Sequence, residues 1–187
     1  KGVYNIMPSV SLNYNRGKLN AYGRAWAGTS GNDFITSEHT DYTSGTIIDA
    51  KSELYSGSFW GGANVGVVYD INNKHSVGGE LQFNHYGSNG TTDTWTEHSI
   101  EGTTTRSEGA YLNNSQSNML NATLNYIYKL DDKGSTLKLI GDYTRSSSPN
   151  NNSYADRTFN IAAPQIVKDS TYRDNAQSLY QLATATL

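Results

Sequence analysis

The residues able to do chemistry are few, and their spacing brings none of them together. There are four histidines, His39, His75, His85 and His98, and no cysteine among the 187 residues. A metal site needs three or four ligands converging on one point. His39 and Asp41 share a strand parity, which makes two ligands at most. Glu97 and His98 are adjacent, so in a strand they point to opposite faces. Without cysteine there is no thiolate zinc site and no disulfide framework. The chain has no Gly-x-Ser-x-Gly elbow, phosphate-cradling glycine loop or His-Glu-x-x-His motif. The carboxylates of Asp131 and Asp132 fall in a tight turn, where Asp serves to accept backbone hydrogen bonds. The expectation is a protein that is not an enzyme and needs no metal or cofactor. The aromatic rings remain. Trp95, Tyr111 and Tyr154 lie in polar connecting segments, and Trp60 lies near the base of one. Such rings stack on a sugar or another ligand ring, and they equally suit packing within a loop.

The segments that would carry these rings alternate in length. Short turns fall at Arg16–Gly17, at Ile71-Asn72-Asn73-Lys74 and at Asp131-Asp132-Lys133-Gly134. Long polar connectors run roughly over 29–56, 88–116 and 147–174. Between them, apolar and polar residues alternate with period two. Val10, Leu12 and Tyr14 alternate with Ser11, Asn13 and Asn15. Leu120, Ala122, Leu124, Tyr126 and Tyr128 alternate with Asn121, Thr123, Asn125 and Ile127. Short connections on one side, long on the other and two-faced strands between them form the pattern of a transmembrane β-barrel wall. It predicts an all-β, antiparallel up-and-down meander of about seven wall strands. The strands are expected to extend beyond the membrane before turning back, and residues 146–153, rich in Ser and Asn, to form a mobile tip.

One predicted face carries Leu, Val, Ala and Tyr. On it, Tyr14, Tyr69, Tyr126 and Tyr128 fall toward the short turns, and Phe59, Phe83 and Tyr143 toward the long connectors. These seven rings are expected at the two edges of an apolar band about 25 Å tall, in contact with outer-membrane lipid. The opposite face carries Asn13, Asn64, Glu80, Gln82, Asn84, Asn121, Asn125, Lys138 and Asp142, as a hydrated lumen would. Glycines at 61–62 and 78–79 fall within strands, where they allow bending or close packing.

Bulk composition alone would suggest a soluble polar chain. Hydrophobic residues make up 35%, the net charge is −3 and the mean hydropathy is −0.64. No apolar run approaches the roughly 20 residues a membrane helix needs. A β-barrel escapes that criterion, because only every second residue meets lipid. Fourteen tyrosines and 18 glycines against three prolines suit strands and turns. The slightly acidic balance and the lack of a basic run argue against a nucleic-acid partner. Lys1-Gly2-Val3-Tyr4 is not a secretory signal, and Ala185-Thr186-Leu187 stops inside a strand pattern. Residues 1–187 are therefore expected to be part of one barrel domain in a longer chain, with no plug domain among them.

At the level of cadence the chain resembles the C-terminal barrel of TonB-dependent outer-membrane receptors of the Bacteroidetes type. The likeness lies in Pro8-Ser9-Val10-Ser11-Leu12-Asn13-Tyr14-Asn15-Arg16-Gly17-Lys18-Leu19-Asn20-Ala21-Tyr22-Gly23, in Asn121-Ala122-Thr123-Leu124-Asn125-Tyr126-Ile127-Tyr128, and in the run from Gly66 through Tyr69 and Asp70 to Ser76-Val77-Gly78. It covers most of the chain and contains no catalytic signature. The resemblance implies a 22-stranded barrel in the outer membrane of a Gram-negative bacterium, with long loops extracellular and short turns periplasmic. It implies a plug domain and a TonB complex as partners, and a surface lipoprotein as a further one. It also implies import of a scarce small-molecule, glycan or peptide ligand. About seven strands are a third of such a wall. The alternative is an extracellular β-rich binding module, an adhesin or glycan-binding domain.

Overall fold

The computed structural model describes residues 4–131, 134–163 and 165–187. The chain is a single antiparallel sheet. Its strands are β1 (Tyr4–Ile6), β2 (Ser9–Arg16), β3 (Leu19–Asp41), β4 (Ile47–Asp70), β5 (His75–Ile100), β6 (Thr103–Lys129), β7 (Thr136–Asn160) and β8 (Ile166–Thr186). From β3 onward each strand pairs with the next, an up-and-down meander. β1 and β2 both pair with β3 and keep one register, Ile6 opposite Thr29 and Ser9 opposite Trp26. They are one strand track interrupted at Pro8, which has no N–H to give but whose carbonyl still accepts from Ala27 N at 3.1 Å. The sheet therefore has seven tracks, the number the sequence pattern predicts.

The long polar connectors are strand. At 27 residues, β6 is about 90 Å long and, tilted as in a barrel, would rise roughly 60 Å. That is more than twice an apolar band about 25 Å tall. The chain reverses only at short tips. Between β5 and β6 the tip is Glu101–Gly102, with φ of 49° and 78°, the two-residue turn that matches strand twist. Between β3 and β4 it closes through Tyr42 N to Thr46 O at 2.9 Å, with Gly45 at φ 82°.

Two predicted details change. The mobile tip expected at 146–153 lies in the middle of β7, its residues in register with β8 from Ser146↔Tyr180 to Ser153↔Arg173. A ladder is made by backbone groups, so Ser and Asn join it where both neighbours are extended, and Asn113 Nδ2 donates to Asn152 Oδ1 at 3.1 Å across it. The first turn is centred on Gly17 and Lys18, because Arg16 already pairs with Leu19. Side chains fix the other short turns. Asn72 Oδ1 accepts from the backbone N–H of Lys74 and His75 at 2.9 and 3.0 Å. Asp131 accepts from Ser135 N at 3.0 Å. Asp132 and Lys133 lie outside the described residues, as does Lys1-Gly2-Val3.

Register divides the side chains between two faces. Leu12, Gly23, Val65, Leu81, Ala122, Tyr143 and Ala183 form one cross-strand row through all seven tracks. Asn13, Asn64, Glu80, Gln82, Asn84, Asn121, Asn125, Lys138 and Asp142 all fall on the other face. The apolar face is the more open one, with Leu12, Val65 and Leu124 at 75%, 58% and 69% exposure, while Asn64, Glu80 and Gln82 are half-buried. Among the described residues no hydrophobic side chain is buried.

The four buried residues among those described are glycines, Gly28, Gly31, Gly66 and Gly78. A neighbour's side chain lies over each. On the polar face Trp60 covers Gly28, Tyr22 covers Gly66 and Asn125 covers Gly78, and Tyr4 covers Gly31 on the apolar face. Each pair is directly cross-strand. With no Cβ at 66, the Tyr22 side chain crosses β4 and its hydroxyl donates to Glu80 two strands away. A Cβ at 66 would lie 2.2 Å from Tyr22 Cζ, whereas one at Gly141 meets nothing within 4 Å. Gly66→Ala is therefore expected to cost about 1–3 kcal/mol and Gly141→Ala less than about 0.5. Urea unfolding of the two variants of the full-length protein in detergent checks this; equal costs would contradict the covering arrangement.

Candidate functional site

On each central strand the apolar face ends at a definite height. Along β4 it carries Tyr69, Val67, Val65, Ala63, Gly61 and Phe59, and then Gly57, Tyr55, Glu53, Lys51 and Asp49. The first six span about 23 Å at the rise of a tilted strand. On β5, Val77, Leu81 and Phe83 give way to Asn89, Asp93 and Glu97. On β6, Tyr128, Tyr126, Leu124 and Leu120 give way to Asn118, Gln116 and Asn114. The seven aromatics Tyr14, Phe59, Tyr69, Phe83, Tyr126, Tyr128 and Tyr143 all lie on this face. Tyr14, Tyr69, Tyr126 and Tyr128 stand toward the short-turn edge and Phe59 at the other. The register sets Phe83 opposite Ala63 and Tyr143 in the row of Val65, at mid-height and not at the edge expected of them. Tyr69 and Tyr126 share a row through Val77. At the short-turn edge His75 stacks on Tyr128, with centroids 4.5 Å apart and planes 3° from parallel, and its Nδ1 lies 2.6 Å from the Tyr126 hydroxyl.

The four loop aromatics do not form one site. Trp95 is on the same face as the apolar band, beyond it. Trp60, Tyr111 and Tyr154 are on the polar face. Trp60 packs over Gly28, low on the sheet. Tyr111 and Tyr154 are direct cross-strand partners much higher up.

Trp95 sits in a charged groove of about 470 Å³ lined also by Glu53, Asp93, Arg106, Glu108 and Asp169. The Arg106 guanidinium lies 4.8 Å from the Trp95 ring centroid. Its Nη1 donates to Glu97 Oε1 at 3.0 Å, and its Nε lies 2.8 Å from Glu108 Oε1 without the alignment of a hydrogen bond. On β4, Lys51 Nζ is 2.5 Å from Glu53 Oε1, and the Tyr55 hydroxyl donates to Glu53 Oε2 at 3.0 Å. These two donors and the Lys51 charge hold the Glu53 carboxyl below its ordinary range, and the same carboxylate raises the Tyr55 hydroxyl. Lys51 and Arg106 are thus each held by carboxylates of the cluster, and Arg157, which also lines the groove, stands between Glu108 and Asp169 in register.

The His39 and Asp41 pairing suggested by parity gives way to a cross-strand one. His39 Nδ1 lies 2.6 Å from Asp49 Oδ1, its register partner on β4. No group of three or more His, Asp or Glu able to hold a metal occurs among the described residues. Sequence reading missed the glycine-covering role of Trp60 and Tyr22. The signal was present in the aromatic–glycine pairing across β3 and β4, but it becomes visible only once the register is known.

No protein-family model matches the chain, and no curated protein does. Solved structures match it loosely. The Mpp75Aa1.1 β-pore-forming protein from Brevibacillus laterosporus is 10% identical, with a TM-score of 0.22 over 99% of this chain and 67% of that one. The outer membrane channel DcaP of Acinetobacter baumannii is 11% identical, with a TM-score of 0.17 over 96% and 62%. A BenF-like porin from Pseudomonas fluorescens Pf-5 is 8% identical, with a TM-score of 0.13 over 92% and 67%. All three are pore-forming, channel or porin proteins. Scores this low carry no argument, and the fold rests on the chain's own sheet.

The hydrogen bond from Asp49, reinforced by its charge, raises the His39 pKa above the ordinary 6.5. A raised folded-state pKa means that this pair supports the β3–β4 tip fully below pH 6.5 and that its support is lost as pH rises through the elevated value. NMR titration should find His39 above 6.5 and return it toward 6.5 in Asp49→Asn. An unchanged value in that variant would contradict the pairing.

Proposed function

We propose that the chain is part of the wall of an outer-membrane β-barrel that imports a nutrient ligand, as TonB-dependent receptors do. One observation carries this reading. Seven antiparallel tracks place an uncovered apolar band about 23 Å tall, with its aromatics, on one face, and amides, carboxylates and hydroxyls on the other. A soluble adhesin or glycan-binding module would close a second layer over that band. The described residues form one layer, and none of their apolar side chains is buried. Lipid is the covering that needs no further protein.

In this reading the short turns are periplasmic, because they border the band directly. The strand extensions stand in the extracellular space, where a surface lipoprotein would meet them. The polar face lines the lumen or touches the protein's own plug domain, and the TonB complex drives release of the ligand. The strand cadence supports the receptor class.

Conductance separates a plugged receptor from an open pore. The full-length protein in a planar bilayer should show little steady conductance, and removal of its plug should open a large one. A stable open channel in the intact protein would replace the receptor reading with a passive porin.

A further inference from the structure

One row on the polar face differs from its neighbours. Phe34, Leu54, Thr92, Tyr111, Tyr154 and Tyr172 are successive register partners across β3 to β8. Five of the six are apolar or aromatic, whereas the rows directly below and above it on this face hold only amides, hydroxyls, carboxylates and glycine. At strand spacing the row is about 24 Å long, room for an oligomeric ligand rather than a single ring. Leu54 lies five residues beyond Phe59, so the row runs roughly 12 Å outside the apolar band.

The rows on either side are hydrogen-bonding. Toward the band lie Asn113, Asn152 and Asp174, and toward the tips lie Thr94, Asp156 and Ser170. None of the three rows contains Lys or Arg. The nearby Lys168 is turned to Asp156, with Nζ 4.0 Å from Oδ2. The rings present surface, since Phe34, Tyr154 and Tyr172 are 58%, 41% and 65% exposed.

We infer that this row is a binding track for an uncharged, hydroxyl-rich oligomer with flat ring faces, the chemistry of a neutral oligosaccharide. The aromatic rings stack on the sugar faces, and the flanking amides and carboxylates take the ring hydroxyls at both edges. The two carboxylates and the missing cations select against anionic chelates. A protein partner would call for a broad apolar patch, whereas this strip is one residue wide between polar rows. The inference rests on the import reading for its place in transport, though the track itself needs only the register.

The test uses the full-length protein in detergent on immobilised neutral glycans: α-glucan, β-glucan, mannan and xylan. Wild type should be retained on at least one. Tyr154→Ala and Tyr172→Ala should each weaken retention roughly tenfold, about what one aromatic contact contributes. Tyr154→Phe should keep it, and so should Leu112→Ser, which lies next to Tyr111 on the opposite face. Failure of wild type to bind any of the four, or equal binding by Tyr154→Ala, would overturn the track. Capture of a protein partner through Tyr154 in place of a glycan would overturn it too. Sided labelling of the band is independent of these residues, so an intact membrane wall with no glycan retention refutes the track alone.

Discussion

The described residues form a hydrogen-bonded sheet without a buried hydrophobic core. Its cohesion comes from backbone ladders running the length of every strand, and the other features follow from what such a sheet leaves unfinished. One face exposes Leu, Val, Phe and Tyr. Full burial of an exposed Leu, Val or Phe gains roughly 1.5–3 kcal/mol, of which these partly covered side chains have a fraction still to gain. No second layer among the described residues takes them. The sheet also has two free edges, one along β1 and β2 and the other along β8, and free edges invite pairing. A lipid environment and continuation of the wall by further strands answer both demands at once.

The polar face is organised by the same economy of space. On a sheet with no packed interior, side chains order themselves by lying across neighbouring strands, which requires glycine beneath them. Trp60 over Gly28 and Tyr22 over Gly66 are the main cases, and the second opens the way for the Tyr22 hydroxyl to reach Glu80. Above the band, the charged groove around Arg106 and Trp95 and the tyrosine row opposite it show the two faces diverging in chemistry. The first is a mesh of ion pairs around Lys51 and Arg106; the second is flat, aromatic and free of cations.

Much of this was legible from residue order. Period-two alternation in 120–128 and 10–15 fixed which residues share a face, because a strand leaves only two choices. The short turns were legible from Gly17, Asn72 and Asp131, whose side chains or φ values suit turns and little else. The extent of the strands was less legible. Composition marks 146–153 as loop, yet its backbone pairs with β8 from end to end, because a ladder between two extended neighbours does not depend on β-propensity. The candidate site was the least legible part. Trp60, Trp95, Tyr111 and Tyr154 are similar as sequence features, but they separate across two faces and three heights. Tyr172 joins Tyr154 only through the β7–β8 register, which no local pattern encodes.

The most direct measurement places single cysteines at Leu124 and Asn125, adjacent in β6 and on opposite faces, in the full-length protein in its membrane. A fluorophore at 124 should be quenched by a lipid-soluble quencher, and a cysteine at 125 should react with a water-soluble thiol reagent. That pair of results is what a membrane wall with a wet interior predicts. Aqueous access at both positions, or burial at both without quenching by lipid, would contradict it and favour a soluble β-module.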